Sequence, residues 1–377
     1  SSPLRNLQPN DVFRISNIGA PKISPESNWI LYNLSTVDSV KDKFSSKLYM
    51  VSVDGKETLC LTEKTKNIAA YNWSPDGKYI SFLAAGAEVE EGTQFFLMDR
   101  RGGEPIQFTH VKGEIQAYKW FQDGKKVLFE IKDFNFADTA KSKVRKPYEI
   151  NRYKFKQDYE GYLDNRKTHL YLFDISTKKL DTLTRGIYNE AEASISSDGK
   201  MIAYASNTTT NPDQNSNKEI FLLTIGAGNV SVKLTNYKGA DEYPQFSPDN
   251  KSIAFLRASS EDSYNMYDLR DIGVIDVNTK LVKVITRKYD QSYSDLNWLP
   301  DSKNILALVE EDRNQNVVNV NVEAETQNII ENEIGTYSAL HVNSKGKMVA
   351  LFSSANLPDE IFVAEGNSFK RVTYIQD

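Results

Sequence analysis

The chain has almost none of the residues from which metal and redox sites are usually built. Cys60 is its single cysteine, and His110, His169 and His341 are its three histidines among 377 residues. One thiol excludes an intrachain disulfide and a cysteine-built metal centre. The histidines stand far apart with no second-ligand spacing, so neither a metal nor a cofactor is expected. No apolar run approaches the roughly 18 residues of a membrane-spanning helix. The opening Ser1-Ser2-Pro3-Leu4-Arg5 has no basic n-region and no apolar h-region, so a signal peptide is not expected in it. A mature secreted chain would open the same way, and a periplasmic or secreted location is kept only as a working expectation. Excess positive charge is missing too: 46 Lys+Arg stand against 51 Asp+Glu, a net charge of −5. That balance argues against a nucleic-acid partner, which requires a basic face. With 40% hydrophobic and 26% charged residues, the composition is that of a globular protein.

What the sequence does have is repetition. Ser74-Pro75-Asp76-Gly77-Lys78 returns as Phe121-Gln122-Asp123-Gly124-Lys125, Ser196-Ser197-Asp198-Gly199-Lys200 and Ser247-Pro248-Asp249-Asn250-Lys251. Weaker copies begin at Ser24, Leu299 and Asn343. The third residues of the seven copies fall at positions 26, 76, 123, 198, 249, 301 and 345. One interval, from 123 to 198, is about 25 residues too long, which marks an insertion inside a repeat.

Each copy sits in one apolar frame. Three residues before the third position stand Ile23, Trp73, Trp120, Ile195, Phe246, Trp298 and Val342. Four residues after it stand Ile30, Ile80, Val127, Ile202, Ile253, Ile305 and Val349, all β-branched. Two apolar segments around Asp-Gly or Asp-Asn form a β-hairpin, because those turn residues tolerate positive φ. A third apolar segment follows, as in Phe95-Phe96-Leu97-Met98, and a fourth ends at Thr62, Thr109, Thr184, Thr235, Thr286 and Thr373; the sixth unit has Ile330-Glu331 instead. Four strands per unit at a period near 50 predict an all-β, seven-bladed β-propeller of four-stranded antiparallel blades. The expected organisation is a lead-in over residues 1–20 and the propeller over 21–377, with an insertion at 133–167 in the third blade. The repeated turn aspartates are read as turn chemistry rather than catalysis, because they recur in every unit. The first blade begins with its innermost strand and the seventh ends with its outermost, so the ring is expected to close by side-chain packing alone.

The repeat resembles that of periplasmic TolB-like proteins and of prolyl-oligopeptidase-type serine peptidases. Two further segments resemble the acylaminoacyl-peptidase and dipeptidyl-peptidase 5 branch of the latter. They are the opening from Leu7 through Ile15 into Pro21-Lys22-Ile23-Ser24-Pro25, and the run from Lys146-Pro147-Tyr148-Glu149-Ile150 through Gly161-Tyr162-Leu163. In that family the propeller is followed by an α/β-hydrolase domain whose nucleophile stands in Gly-x-Ser-x-Gly. No such motif occurs here, so no catalytic residue is assigned and no peptidase activity is expected from this chain alone. The resemblance implies a C-terminal hydrolase domain as partner, short peptides as its substrates, and a propeller that covers the active site. It is compatible with a homo-oligomer. The alternatives are a free-standing TolB-like protein-binding module and a propeller lyase or glycosidase, which the scarcity of histidine disfavours.

On the face that would meet a hydrolase domain, acids cluster in the loops. The substrate-gating candidates are Glu190, Glu192, Asp241, Glu242, Asp312 and Arg313, with Asp295, Glu310 and Glu311 nearby in the pattern. Acids there would hold a peptide's free amine and Arg313 a carboxylate; a solvated charged rim is the plainer reading. Residues 141–167 carry nine Lys or Arg against four acids, interleaved with Tyr148, Tyr153, Phe155, Tyr159 and Tyr162. They are read as a projecting amphipathic hairpin. Cys60 is expected as a buried thiol, and His341 as a residue of the channel or of a blade interface.

Overall fold

The computed structural model describes residues 8, 15–38, 43–62, 67–88, 91–134, 150–158, 161–226, 228–261, 267–331 and 333–376. Among them every regular element except two 3-10 turns, Pro212–Gln214 and Arg287–Tyr289, is a β-strand.

The strands follow the repeat. In the first unit β1 (Asn17–Ile18) and β2 (Lys22–Ile23) both pair with β3 (Trp29–Asp38), followed by β4 (Lys43–Ser52) and β5 (Thr58–Cys60). The second unit is β6 (Ala69–Trp73), β7 (Tyr79–Ala85), β8 (Thr93–Asp99) and β9 (Ile106–Gln107). The third has β10 (Glu114–Trp120) and β11 (Lys126–Lys132), then a small hairpin, β12 (Lys156–Gln157) with β13 (Gly161–Tyr162), before β14 (Thr168–Asp174) and β15 (Leu180–Thr182). The fourth is β16 (Ala191–Ile195), β17 (Met201–Ser206), β18 (Glu219–Thr224) and β19 (Ser231–Lys233). The fifth is β20 (Asp241–Phe246), β21 (Ser252–Ala258), β22 (Arg270–Asp276) and β23 (Val282–Val284). The sixth is β24 (Ser292–Trp298), β25 (Asn304–Glu311), β26 (Asn314–Asn321) and β27 (Thr326–Ile329). The last is β28 (Thr336–Val342), β29 (Met348–Ser354), β30 (Leu357–Glu365) and β31 (Ser368–Arg371). Within each unit the main strands pair antiparallel in chain order, β11 joining β14 past the small hairpin; a parallel bridge, Gln315 to Thr336, ties the sixth sheet to the next.

Local chemistry explains the regularity. The fourth residue of every turn copy, Ser27, Gly77, Gly124, Gly199, Asn250, Ser302 and Gly346, has a positive φ between 56° and 80°. The aspartates fold the turn over themselves: Ser74 Oγ donates to Asp76 Oδ1 at 2.7 Å, and the Lys78 N–H to the same oxygen at 3.1 Å. Ser196–Asp198 and Ser247–Asp249 repeat this pair at 2.7 and 2.6 Å. The seven β-branched residues beyond the turns are all 0% exposed. Burying a side chain of that size contributes about 1.5–3 kcal/mol. The threonines that end six units have a common task. Thr62, Thr109, Thr184, Thr235, Thr286 and Thr373 accept through Oγ1 a backbone N–H of the third strand, at 2.8–3.0 Å.

The succession of sheets closes on itself. Ile18, Ile23, Ile30 and Val51 of the first unit form one apolar cluster with Val349, Leu351, Ile361, Val363 and Val372 of the last. β31 pairs only with β30, and Asn17–Ile18 pairs with β3, so no strand is exchanged at this seam among the described residues. Packing is not the whole of the closure, contrary to the sequence expectation. The Ile23 N–H donates to His341 Nδ1 at 3.2 Å, Asn343 Nδ2 donates to the Ser24 carbonyl at 2.9 Å, and Gln376 Nε2 to the Ser16 carbonyl at 2.5 Å. The 20/21 boundary falls between β1 and β2, which lie on the same strand.

Cys60 corrects the sequence reading: β5 is exposed along its length, and the thiol with it. As the outermost strand of its unit, β5 has no further strand beside it. Much of the lead-in, from Leu7 and Pro9 through Arg14, lies outside the described residues, as do Lys141, Lys143, Arg145, Lys146, Tyr148, Glu149, Tyr159 and Glu160 of the insertion.

Candidate functional site

In a four-stranded meander the loops entering the first strand share a face with those joining the second to the third. Six of the seven innermost strands carry a register shift on that side; five of these have a non-glycine residue at positive φ, among them Glu192 (58°), Tyr243 (54°) and Asp295 (49°). A bulge turns a backbone N–H away from its own sheet and leaves it in need of a partner. The neighbouring unit supplies one. Glu130 accepts the Ala193 N–H at 2.8 Å, Glu192 the Tyr243 N–H at 3.0 Å, and Asp295 the Leu340 N–H at 3.1 Å. These carboxylates clasp adjacent units together.

The structure divides the gating candidates into three groups. Glu190 is buried and accepts His169 Nδ1 at 2.6 Å and Thr184 Oγ1 at 3.1 Å. The hydrogen bond to Glu190 raises the His169 pKa above its ordinary value despite burial. Asp241 is 0% exposed and receives Arg257 in a bidentate pair, Nε to Oδ1 and Nη2 to Oδ2, both 2.8 Å. Burial drives its pKa up and Arg257 opposes the shift. Glu192 and Glu242 form the second group. Lys218 Nζ lies 2.6 Å from Glu192 and 2.8 Å from Glu242, and Arg270 Nη1 lies 2.5 Å from Glu242. Burial disfavours the charge on Lys218, but the two carboxylates outweigh it and raise its pKa well above that of a free lysine. Asp312 and Arg313 are the third group, alone at the tight β25–β26 turn, with side chains 88% and 92% exposed. Their 3.9 Å approach contributes little to stability, and they do not join the others.

The Glu192–Lys218–Glu242 network borders a polar cavity of about 370 Å³, between the base of the insertion and the fourth unit. Lys154, Gln157 and Lys167 of the insertion line one side, and Asn207, Asp213 and Asn215 of the β17–β18 loop line another. Arg152 bridges the two, donating to both oxygens of Asp213 at 2.9 and 2.5 Å and to the Asp164 carbonyl. Two buried atoms of the lining residues have no hydrogen-bond partner: Ser206 Oγ and Asn217 Oδ1. Unpaired buried polar atoms are costly, about 1–3 kcal/mol each. Among the described residues no group of three or more His, Cys, Asp or Glu side chains is placed to hold a metal ion. No helix there is long and apolar enough to cross a membrane.

Sequence reasoning placed Glu192 and Glu242 on this face but missed Lys218, Arg152, Ser206 and Asn217. The one available signal was the polar run Asn207 to Asn217, too long for a simple connection between strands.

No family model matches the chain. Among curated proteins it is similar to dipeptidyl-peptidase 5 of Porphyromonas gingivalis, 26% identical over 379 residues, covering 95% of this chain and 54% of that protein. The acylaminoacyl peptidase of Pyrococcus horikoshii superposes with a TM-score of 0.73 at 14% identity, covering 97% of this chain and 53% of that one. The β-propeller domain of the Trilobed protease from Pyrococcus furiosus, described as having an open velcro topology, superposes with a TM-score of 0.67 at 15% identity. There 96% of this chain meets 99% of that domain. The chain spans about half the length of the dipeptidyl-peptidase 5 it matches. It resembles the propeller portion of peptidases of the dipeptidyl-peptidase 5, acylaminoacyl-peptidase and prolyl-endopeptidase kind.

Proposed function

We propose that the chain is a seven-bladed β-propeller acting as the non-catalytic domain of a prolyl-oligopeptidase-type serine peptidase. In this reading the propeller spans 21–377 with the preceding residues leading into it, partners an α/β-hydrolase domain, and restricts entry to short peptides. The observation that carries the reading is the match of nearly the whole chain to about half of a dipeptidyl peptidase. The physical logic is exclusion: sheets packed on one another and tied across by carboxylates form a rigid wall, and a folded protein is too wide to pass it. Glu192, Glu242 and the cavity beside them belong to the face turned toward the hydrolase. Glu190 and Asp241 act from beneath, by fixing the loops. Asp312 and Arg313 stand free on the same face as outlying contacts.

Two measurements test this. The isolated chain should not turn over free or N-acyl dipeptide chromogenic substrates, because it has no nucleophile elbow. Turnover abolished by a serine-directed phosphonate would contradict that. In one polypeptide with a hydrolase domain, replacing residues 135–166 by a short Gly-Ser loop should remove the insertion, and Asp213→Ala should release it from the fourth unit. Cleavage of long peptides relative to dipeptides should then rise about tenfold, which corresponds to roughly 1.4 kcal/mol of lost discrimination. The isolated propeller should melt within a few degrees of the parent, as surface changes do. An unchanged size profile after the insertion has been released sinks the gating role.

A further inference from the structure

Trp73 and Trp120 occupy equivalent places in successive units, yet their ring faces meet different surroundings. The Arg100 guanidinium lies 5.1 Å from the Trp73 ring centroid. Glu26, in the preceding unit's turn, anchors it at 2.5 Å. Arg100 is the first residue after β8, and its N–H donates to the Lys78 carbonyl at 3.0 Å. The residue in that place in the third unit is Ile175, whose N–H donates to the Lys125 carbonyl at 2.9 Å. The residue in the place of Glu26 is Asp76. Beside Trp120, therefore, the anion is kept and the cation is replaced by an aliphatic side chain.

At this place the surface opens into a cleft of about 530 Å³, on the face opposite the candidate site. Leu97, Ile106, Phe108, Trp120 and Ile175 give it an apolar lining. Asp76, Asp99, Glu104 and Asp123 line it as well, and no Lys or Arg does. Lys78 lies 3.5 Å from Asp76, but its side chain is 74% exposed, and Arg101 answers Asp99 from outside at 2.6 Å. The cleft has a structural cause. β9 is only two residues long and leaves Ile106 65% exposed. At three other junctions adjacent turns are bonded to one another: Ser197 to Asn250, the Asp249 N–H to Ser302, and Asn343 to Ser27. Between residues 74–78 and 122–125 no such bond occurs among the described residues.

We propose that this cleft binds a small organic cation, an amidinium, guanidinium or primary ammonium carried on an aromatic or alkyl body. The cation takes over Trp120 and beside Asp76 the position that Arg100 holds over Trp73 and beside Glu26, and the body covers Ile106 and Phe108. A cation over an indole face with a carboxylate behind it is a favourable arrangement, and the volume lies within the range of small-molecule sites.

The test is calorimetric titration of the 377-residue chain with benzamidine, using neutral, isosteric benzamide as the control. Benzamidine should bind saturably and about tenfold more tightly than benzamide, with Asp76→Asn reducing that preference several-fold. Ile175→Arg supplies the missing guanidinium from within and should abolish binding while leaving the melting temperature unchanged or raised. Equal binding of the two probes, no saturable binding of benzamidine, or undiminished binding to a folded Ile175→Arg variant would each overturn the proposal.

Discussion

Arg257→Ala should be among the most damaging single substitutions in the chain, costing about 3–5 kcal/mol, the usual penalty for stripping one partner from a buried ion pair. Asp241 has no exposed surface, and Arg257 satisfies both of its carboxylate oxygens. The guanidinium also lies 4.5 Å from the Tyr237 ring centroid, so truncation removes packing as well as charge. For a large domain this corresponds to a fall in melting temperature of roughly 6–10 °C. The double variant Asp241→Leu/Arg257→Met should recover much of that loss, because a buried pair replaced by apolar groups of similar volume is often close to neutral. The comparison separates a structural pair from a residue held for substrate. A folded Arg257→Ala protein that melts within 2 °C of the parent would return Asp241 to the list of groups facing the substrate path.

How far the sequence could be read follows the range of the interactions. The frame of apolar residues around each turn is local, and every β-branched position in it is buried. The terminal threonines are local as well: each caps a strand about 14 residues away in its own unit, so their pattern marked the unit ends. The acids were harder. Glu190 and Asp241 look like rim charges in sequence, but they are buried by partners 16–21 residues away, His169 and Arg257. Glu192 depends on a bulge and on Lys218, 26 residues on; Arg152 and Asp213 are 61 residues apart. None of these pairings has a sequence period, because each arises where two loops meet on one face. Cys60 failed for a different reason. Leu59-Cys60-Leu61 reads as apolar, but Leu59 is 47% exposed, because an outermost strand has no sheet beyond it.

Two histidines should give the chain a stability maximum near pH 6.5, the ordinary histidine value. His341 accepts the Ile23 N–H through Nδ1, which requires the neutral ring, and so holds the first unit to the last. Burial, reinforced by Lys22 and Lys119, sets its pKa well below the ordinary value. The unfolded chain then takes up the proton first, and stability falls as pH drops below about 6.5, by roughly 1.4 kcal/mol per pH unit until the folded pKa is reached. His169 has the opposite sign. Its pKa is raised by Glu190, so its contribution is fully present below about 6.5 and is lost as pH rises through the folded value. Lys22, lowered to about 8 by burial, then by Lys119 and against the pull of Asp295, stays charged through most of this window. Glu130 and Asp295, raised by burial, act in the opposite sense, favouring the fold as pH falls, and do so equally in every variant. Urea unfolding at pH 5.5, 6.5 and 7.5 isolates the two rings by difference. His341→Asn keeps an acceptor for the Ile23 N–H and removes the titration, so it should flatten the acid limb by about 1 kcal/mol between pH 6.5 and 5.5. His169→Gln should remove the decline above pH 6.5 and leave the acid limb in place. An acid limb equally steep in the parent and in His341→Asn would show that the closure between first and last units does not depend on a neutral imidazole.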